Sequence, residues 1–159
     1  MSKYANPNEW QSIQNKFYDT ESRNEAIILL KSLSCTSDSN NLASAFSMLT
    51  SKKMDSSFVV PFLTFLSEIH VEETFQFFQS NFKFFSSNFQ SDLESIVFSL
   101  THRFSTGELL DNFLNFLDQH RIVKTRTILQ TISLIQSNIL VRNNYSSSLE
   151  EWINNFLSS

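Results

Sequence analysis

The amino-acid sequence predicts an all-α fold, and three observations lead to that fold class. The chain of 159 residues contains one glycine and two prolines, whereas tight hairpins and phosphate-binding loops depend on glycine for positive φ angles. Its composition, 41% hydrophobic and 18% charged, is that of a globular protein able to bury a core. Ser, Thr, Asp and Asn recur along the chain as helix starts and turns. We therefore expect a single helical domain over residues 1–159.

About nine helices are expected, and the first three are marked by apolar spacing and start signals. Residues 8–18 carry apolar side chains on one side of a helix. Residues 22–34 begin with Ser22 and Glu25, which form the S-x-x-E pattern of a capping box. The third helix follows Asp38, because apolar residues recur at helical spacing after this N-cap type of residue.

The next four predicted helices also begin with short polar side chains or acids. The fourth starts near Asp55 and contains a proline close to its first turns, where proline is tolerated best. The fifth covers residues 71–89 and is rich in phenylalanine. The sixth covers residues 91–102 and starts with a Ser-Asp pair. The seventh starts at Ser105, which with a glutamate three residues later forms a second capping box.

Two more helices, over residues 123–140 and 147–157, complete the predicted chain. Short helices joined by short connections pack as antiparallel neighbours. Stacked pairs of such helices form an irregular α-solenoid of the HEAT/armadillo type. The sequence has no fixed period, so an orthogonal bundle remains an alternative at this level.

The stretch TFQFFQSNFKFFSSNFQ, residues 74–90, is predicted to be a core helix with neighbours on two sides. At about 100° per residue, five aromatic rings form one stripe, namely Phe75, Phe78, Phe82, Phe85 and Phe89. Phe77 and Phe84 fall on the opposite side. Lys83 is the only basic residue in the stretch, whereas membrane-surface helices and base-stacking surfaces carry several. We also assign Phe104 to the core.

Charge and motifs point away from catalysis, metal binding and nucleic-acid binding. The net charge is −4, and the densest basic run is the pair Lys52 and Lys53, which is too little for phosphate neutralisation. The three histidines, His70, His102 and His120, lack a second ligand at i+3 or i+4, and we expect them at helix ends. HExxH, G-x-S-x-G, P-loop and dinucleotide motifs do not occur. No signal peptide or bilayer-spanning segment is expected.

Four stretches, taken together, resemble a known family. Residues 100–116, LTHRFSTGELLDNFLNF, are similar to a T-x-R/Q-F-S-T turn followed by an acidic, leucine-rich helix. Residues 77–85, FFQSNFKFF, are similar to an F-L-x-x-N-W segment with Phe82 in place of tryptophan. Residues 6–17 look like an E-E-W opening helix, and residues 129–157 look like a closing E-x-I-x-x-N-I-x-W pattern with a final tryptophan helix. In this order they resemble the C-terminal domain of zinc aminopeptidases, the family of aminopeptidase N, the puromycin-sensitive enzyme and the endoplasmic-reticulum aminopeptidases.

The resemblance implies a HEAT-like helical solenoid that is the C-terminal part of a larger chain. Such a domain is expected to cover the active site of the catalytic domain and to govern peptide access. The zinc-binding HExxH motif and the GAMEN substrate loop lie in that other domain, so no cofactor is expected in this chain. The implied partners are the catalytic domain and peptide substrates, with no nucleic acid and no membrane contact.

Arg103 is the one residue that we single out as a possible contact site. It lies at a predicted helix end, where its guanidinium could bind a peptide carboxylate or a facing domain. Alternatively, it caps its own helix. At the level of the whole chain, the alternative is a stand-alone helical-repeat scaffold that binds a protein or peptide on its concave face. An unrelated helical bundle is a third interpretation.

Overall fold

The computed structural model describes the backbone of residues 7–157, with the side chains of 9–145, 148 and 156. All regular structure in this part of the chain is helical, which confirms the predicted all-α class. The helices are α1 Pro7–Asp19, α2 Arg23–Ser34, α3 Ser39–Leu49, α4 Ser56–Ile69, α5 Val71–Ser80, α6 Phe82–Asn88, α7 Leu93–Thr101, α8 Gly107–Gln119 and α9 Arg126–Leu157, with a 3₁₀ turn Gln90–Asp92 before α7. No described helix is long and apolar enough to cross a membrane.

Aspartate N-caps start α3 and α4, as the sequence predicts. The carboxylate of Asp38 accepts hydrogen bonds from the backbone N–H groups of Asn40 and Asn41 at 2.9 and 3.0 Å. The carboxylate of Asp55 accepts one from the backbone N–H of Ser57 at 2.8 Å. These bonds satisfy amide groups that the first turn of a helix leaves without a partner.

The first predicted capping box forms only in part. The Ser22 hydroxyl accepts a hydrogen bond from the Glu25 N–H at 3.4 Å. The Glu25 carboxylate instead binds the Thr20 hydroxyl at 2.6 Å and the Lys16 ammonium at 2.8 Å. The Ser22 N–H donates to the Thr20 hydroxyl at 3.2 Å. Thr20 therefore replaces the glutamate, because the lysine at the end of α1 attracts the carboxylate.

The second predicted capping box, Ser105 with Glu108, is wrong. α8 begins one residue later, and its N-cap is Thr106, whose hydroxyl accepts from the Leu109 N–H at 3.3 Å. The Ser105 hydroxyl is instead a partner of Arg142 from α9. A long-range side-chain contact thus decides which of two adjacent hydroxyl residues caps the helix.

The phenylalanine-rich segment is two helices, so the prediction of one helix over residues 71–89 is wrong. Asn81 interrupts it with φ −112° and ψ 18°. The Asn81 backbone N–H bonds to the carbonyls of Phe77 and Phe78, and its side-chain amide donates to the Phe77 carbonyl at 2.9 Å. An asparagine side chain that bonds to nearby main chain competes in this way with continued helix.

The break at Asn81 changes how the phenylalanines meet. Phe77 stacks on Phe46 of α3, with ring centroids 4.7 Å apart and planes 7° from parallel. Phe77 and Phe84, which an uninterrupted helix would hold opposite the stripe, both contact Phe85, at 6.2 and 5.3 Å. Most stripe residues are buried, namely Phe75, Phe78, Phe85 and Phe89, and Phe82 is half-buried. The rings form one cluster rather than two opposed faces.

The last two predicted helices form one helix, α9, so the predicted break between residues 140 and 147 is wrong. The segment VRNNYS at 141–146 contains neither glycine nor proline. Serines earlier in α9 bond back to their own helix: the Ser133 hydroxyl donates to the Leu129 carbonyl and the Ser137 hydroxyl to the Ser133 carbonyl. Serine and asparagine favour turns but do not by themselves end a helix.

Two compact units divide the chain, Met1–Leu100 and Thr101–Ser159. In the first, α2 packs against α1, α3 and α4, and α4 packs against α5. Its core includes Trp10, whose indole N–H donates to the Leu33 carbonyl at 3.1 Å. In the second, α8 packs against α9, and the core residues are Phe104, Phe113, Phe116, Leu117, Ile128 and Ile135. The solenoid arrangement itself stays a prediction.

Candidate functional site

The turn after α7 holds Arg103 between two anchored residues. Thr101, the last residue of α7, is buried, and its carbonyl accepts the Phe104 N–H at 2.9 Å. The Phe104 ring is fully buried, so the turn is fixed to the core of its unit. Arg103 lies between them and is exposed.

A side chain from α9 secures the same turn. The Asn138 amide donates to the His102 carbonyl at 2.8 Å and to the Phe104 carbonyl at 3.2 Å. Carbonyl groups beyond a helix end have no partner in the helix itself, so one half-buried asparagine satisfies two of them. The turn is thereby tied to α9 as well as to the core.

Arg142 provides a second guanidinium near the turn. It lies four residues after Asn138, and residues at i and i+4 share one side of a helix. Its Nη1 donates to the Ser105 hydroxyl at 3.3 Å. The turn therefore has arginines on both of the segments that meet there, one on the turn and one on α9.

These segments line an open surface groove with a volume of about 720 Å³, which we call the arginine groove. Its lining residues are His102, Arg103, Ser105, Leu134, Asn138, Val141 and Arg142. Sites for small ligands are typically about 300–1,000 Å³, so the groove is large enough for a peptide end. It lies entirely within the second compact unit.

The chemistry of the arginine groove suits an anion that carries an apolar group. Arg103 and Arg142 provide two guanidinium groups, which bind carboxylates through paired hydrogen bonds. Leu134 and Val141 provide apolar surface, with 39% and 57% of their area exposed.

A comparison with protein families decides the identity of this helical domain. The model of the ERAP1-like C-terminal domain matches residues 1–137, more than half of the chain. The chain belongs to the ERAP1-like C-terminal domain family. The sequence-based recognition of an aminopeptidase C-terminal domain, a non-catalytic part of such enzymes, is thereby confirmed. No curated protein matches the chain.

The family match covers part of the arginine groove. It includes the turn with Arg103 and the first third of α9, and it ends before Asn138 and Arg142. In the closing motif assigned from the sequence, Ile132 lies within the match, and Asn138, Ile139, Trp152 and Ile153 lie beyond it. Of these, the side chains of Trp152 and Ile153 lie outside the described residues.

The histidines of this ERAP1-like domain directly follow helices, as predicted. His70 follows α4, and its Nε2 is 3.1 Å from the Ser34 carbonyl. His120 follows α8, with its ring 4.8 Å from the Phe116 ring. His102 follows α7 and lines the arginine groove. The described residues contain no group of three His, Cys, Asp or Glu side chains that could hold a metal ion.

Sequence reasoning found Arg103 but missed Arg142. The sequence signal that identifies Arg142 is its i, i+4 spacing from Asn138. This spacing places both side chains on one side of a helix only if a single helix contains both residues. A predicted helix end at residue 140 placed Arg142 in a loop and hid this spacing.

Proposed function

We propose that this ERAP1-like domain packs against the catalytic domain of a zinc aminopeptidase and helps to enclose its active-site cavity, so that it governs which peptides enter. The family match over residues 1–137 carries the proposal. The sequence contains no HExxH motif, so peptide hydrolysis and the zinc ion are assigned to the catalytic domain. The helical core described above would supply the rigid wall of the cavity.

Within this function, we assign the arginine groove to the carboxyl end of a peptide. The groove combines Arg103 and Arg142 with the apolar side chains of Leu134 and Val141. A peptide with a free carboxylate and an apolar last residue offers both partners. Contact of Arg103 with the facing catalytic domain is the competing role, and the substrate series described below separates the two.

The first experiment identifies the catalytic partner. The transcript is sequenced upstream of the Met1 codon, and the native protein is purified with its associated chains. We expect an HExxH-containing sequence in the same reading frame or in a chain that copurifies. A stop codon upstream of Met1, together with the absence of any copurifying peptidase, would overturn the proposal and favour the stand-alone scaffold.

The second experiment tests Arg103 in the peptidase so identified. We expect Arg103→Ala to lower kcat/KM by about 10- to 150-fold for long free-acid peptides, because loss of a charge-assisted hydrogen bond costs about 1.5–3 kcal/mol. Hydrolysis of C-terminally amidated peptides and of short aminoacyl substrates should stay unchanged. Arg126→Ala, which removes an exposed arginine outside the groove, is the control. An equal loss for free and amidated peptides would contradict the carboxylate role.

A further inference from the structure

A small apolar pocket lies in the first compact unit and shares no lining residue with the arginine groove. Its volume is about 260 Å³. Its apolar lining comes from the end of α3, the loop before α4, α4 itself and the phenylalanine cluster, namely Leu49, Met54, Val59, Phe84 and Phe89. Its polar lining residues are Thr50, Ser51, Lys52, Ser56 and Asn88. The volume is below the range of about 300–1,000 Å³ for small-molecule sites. The pocket suits one large side chain rather than a whole ligand.

Two lysines stand at the edge of this apolar pocket. Lys52 lines the pocket, and Lys53 lines an adjacent polar groove of about 420 Å³, with Ser51 lining both. Both lysines are exposed, and neither ammonium group bonds to a described residue. They form the densest basic pair in a chain of net charge −4, and Asp92 lines a neighbouring groove that shares Ser56, Asn88 and Phe89 with the pocket.

The nearest acid in the sequence does not neutralise the lysine pair. The carboxylate of Asp55 accepts hydrogen bonds at the start of α4, and its pKa is lowered mainly by bonding to Ser57 and also by the charge of Arg23. Arg23 lies beside this helix start, because its Nη1 donates to the Ser57 hydroxyl at 3.2 Å. Asp55 is thus directed at Ser57 and Arg23, and the charges of Lys52 and Lys53 remain available to a partner.

Apart from Lys53, the polar side chains that line the adjacent polar groove are uncharged hydrogen-bonding groups. Its side chains come from α1 and α3 and include Gln11, Gln14, Asn15, Ser44 and Ser47. Amides donate and accept hydrogen bonds, and a hydroxyl does both as well. Such groups match the main chain of an extended peptide, which presents both N–H and C=O. The polar groove is therefore suited to bind the main chain of a peptide whose anchor side chain occupies the apolar pocket.

We propose that this face docks an extended acidic segment of a partner protein. One aromatic or large aliphatic side chain of the segment fills the apolar pocket, and carboxylates on the residues that follow meet Lys52 and Lys53. A buried anchor side chain supplies most of the affinity in such interfaces, whereas charges at the edge supply steering and selectivity. The remaining main chain then crosses the polar groove.

The test uses the full chain and synthetic probe peptides observed by methyl NMR of Met54 and Val59. The probe is acetyl-Phe-Glu-Glu-Glu-amide, and the controls are acetyl-Phe-Lys-Lys-Lys-amide and acetyl-Gly-Glu-Glu-Glu-amide. We expect the probe to shift both methyl signals saturably and to bind at least tenfold more tightly than either control. Raising the salt concentration should weaken binding, because exposed charges are screened.

Variants locate the site on the surface. Lys52→Ala should weaken probe binding several-fold, and Lys31→Ala, which removes an exposed lysine of α2 outside the pocket, should not. Ser56→Trp places an indole at the pocket edge and should abolish the methyl shifts, with helicity checked by circular dichroism. Equal binding of the lysine peptide, absence of binding at millimolar probe, or insensitivity to both Lys52→Ala and Ser56→Trp would each overturn the proposal.

Discussion

Thr74 and Thr131 are both fully buried threonines on helices, yet their hydroxyl groups differ. The Thr131 hydroxyl donates to the Thr127 carbonyl at 2.9 Å. The Thr74 hydroxyl has no hydrogen-bond partner among the described residues. A buried polar atom without a partner loses its hydration and gains nothing in exchange. The Thr74 hydroxyl therefore lowers the free energy of unfolding of the domain.

Replacing each threonine with valine measures this difference, because the two side chains have almost the same shape. We expect the free energy of unfolding of Thr74→Val to exceed that of Thr131→Val by about 1 kcal/mol, because only Thr131→Val removes a hydrogen bond. Urea denaturation of both variants gives the comparison. Equal changes in stability would show that the Thr74 hydroxyl is bonded in solution.

Asn138 shows the opposite case, a residue whose bonds hold the candidate site in place. Asn138→Ala leaves the His102 and Phe104 carbonyls without their side-chain donor, and we expect a loss of about 1–3 kcal/mol in the free energy of unfolding. Asn138→Asp should cost at least as much, because a carboxylate cannot donate to them. If Asn138→Ala is as stable as exposed Asn143→Ala, the bridging role is contradicted.

At the scale of elements, the break between α5 and α6 predicts that replacing Asn81 with alanine lowers the stability of the fold. The same replacement inside a continuous helix raises it. In an exposed helix interior, asparagine to alanine stabilises, by about 0.5 kcal/mol, through helix propensity. At Asn81 the same change removes the amide bond to Phe77, so we expect Asn81→Ala to destabilise by about 1 kcal/mol. Asn143→Ala within α9 is the matched control. If both variants gain stability in urea denaturation, Asn81 does not break the helix.

The elements also show where sequence reasoning succeeds and where it fails. Start signals for α3 and α4 were readable, because Asp38 and Asp55 act locally on the next two or three residues. The break at Asn81 was not readable, because the 3-4-3-4 phenylalanine spacing continues through it. The sequence also predicts a break within α9, because Ser and Asn favour turns, although these residues do not end the helix. Because the predicted helix ends at residue 140, the sequence indicates Arg103 as a site residue but does not indicate Arg142.

For the whole molecule, the two compact units contain different surfaces. The apolar pocket with its lysine pair belongs to Met1–Leu100, and the arginine groove belongs to Thr101–Ser159. No residue lines both. Variants of one surface can therefore serve as controls for the other in the same full-length chain. Lys52→Ala should leave peptide kinetics unchanged, and Arg103→Ala should leave probe binding unchanged.

Two carboxylates that are bonded in the folded state, those of Glu25 and Asp55, contribute to the stability of the molecule in a pH-dependent way. Bonding to the Lys16 side chain, and then to Thr20, lowers the pKa of Glu25. Bonding to Ser57 lowers the pKa of Asp55. A group whose pKa is lower in the folded state stabilises the fold above its unfolded pKa, and this contribution is lost as the pH falls through the folded value. The ordinary values are 4.5 and 3.8, so the contribution of these two carboxylates to resistance against urea should be constant near neutral pH and should decline as the pH falls below these values.

Asp55→Asn tests this pH dependence, because asparagine retains the N-cap acceptor but cannot titrate. We expect the variant to show a shallower loss of stability than the wild type between neutral pH and the acid range. Thermal unfolding followed by circular dichroism at a series of pH values supplies both slopes. If Asp55→Asn and the wild type decline in parallel, the Asp55 carboxylate does not contribute to acid sensitivity, and the N-cap of α4 acts through its hydrogen bond alone.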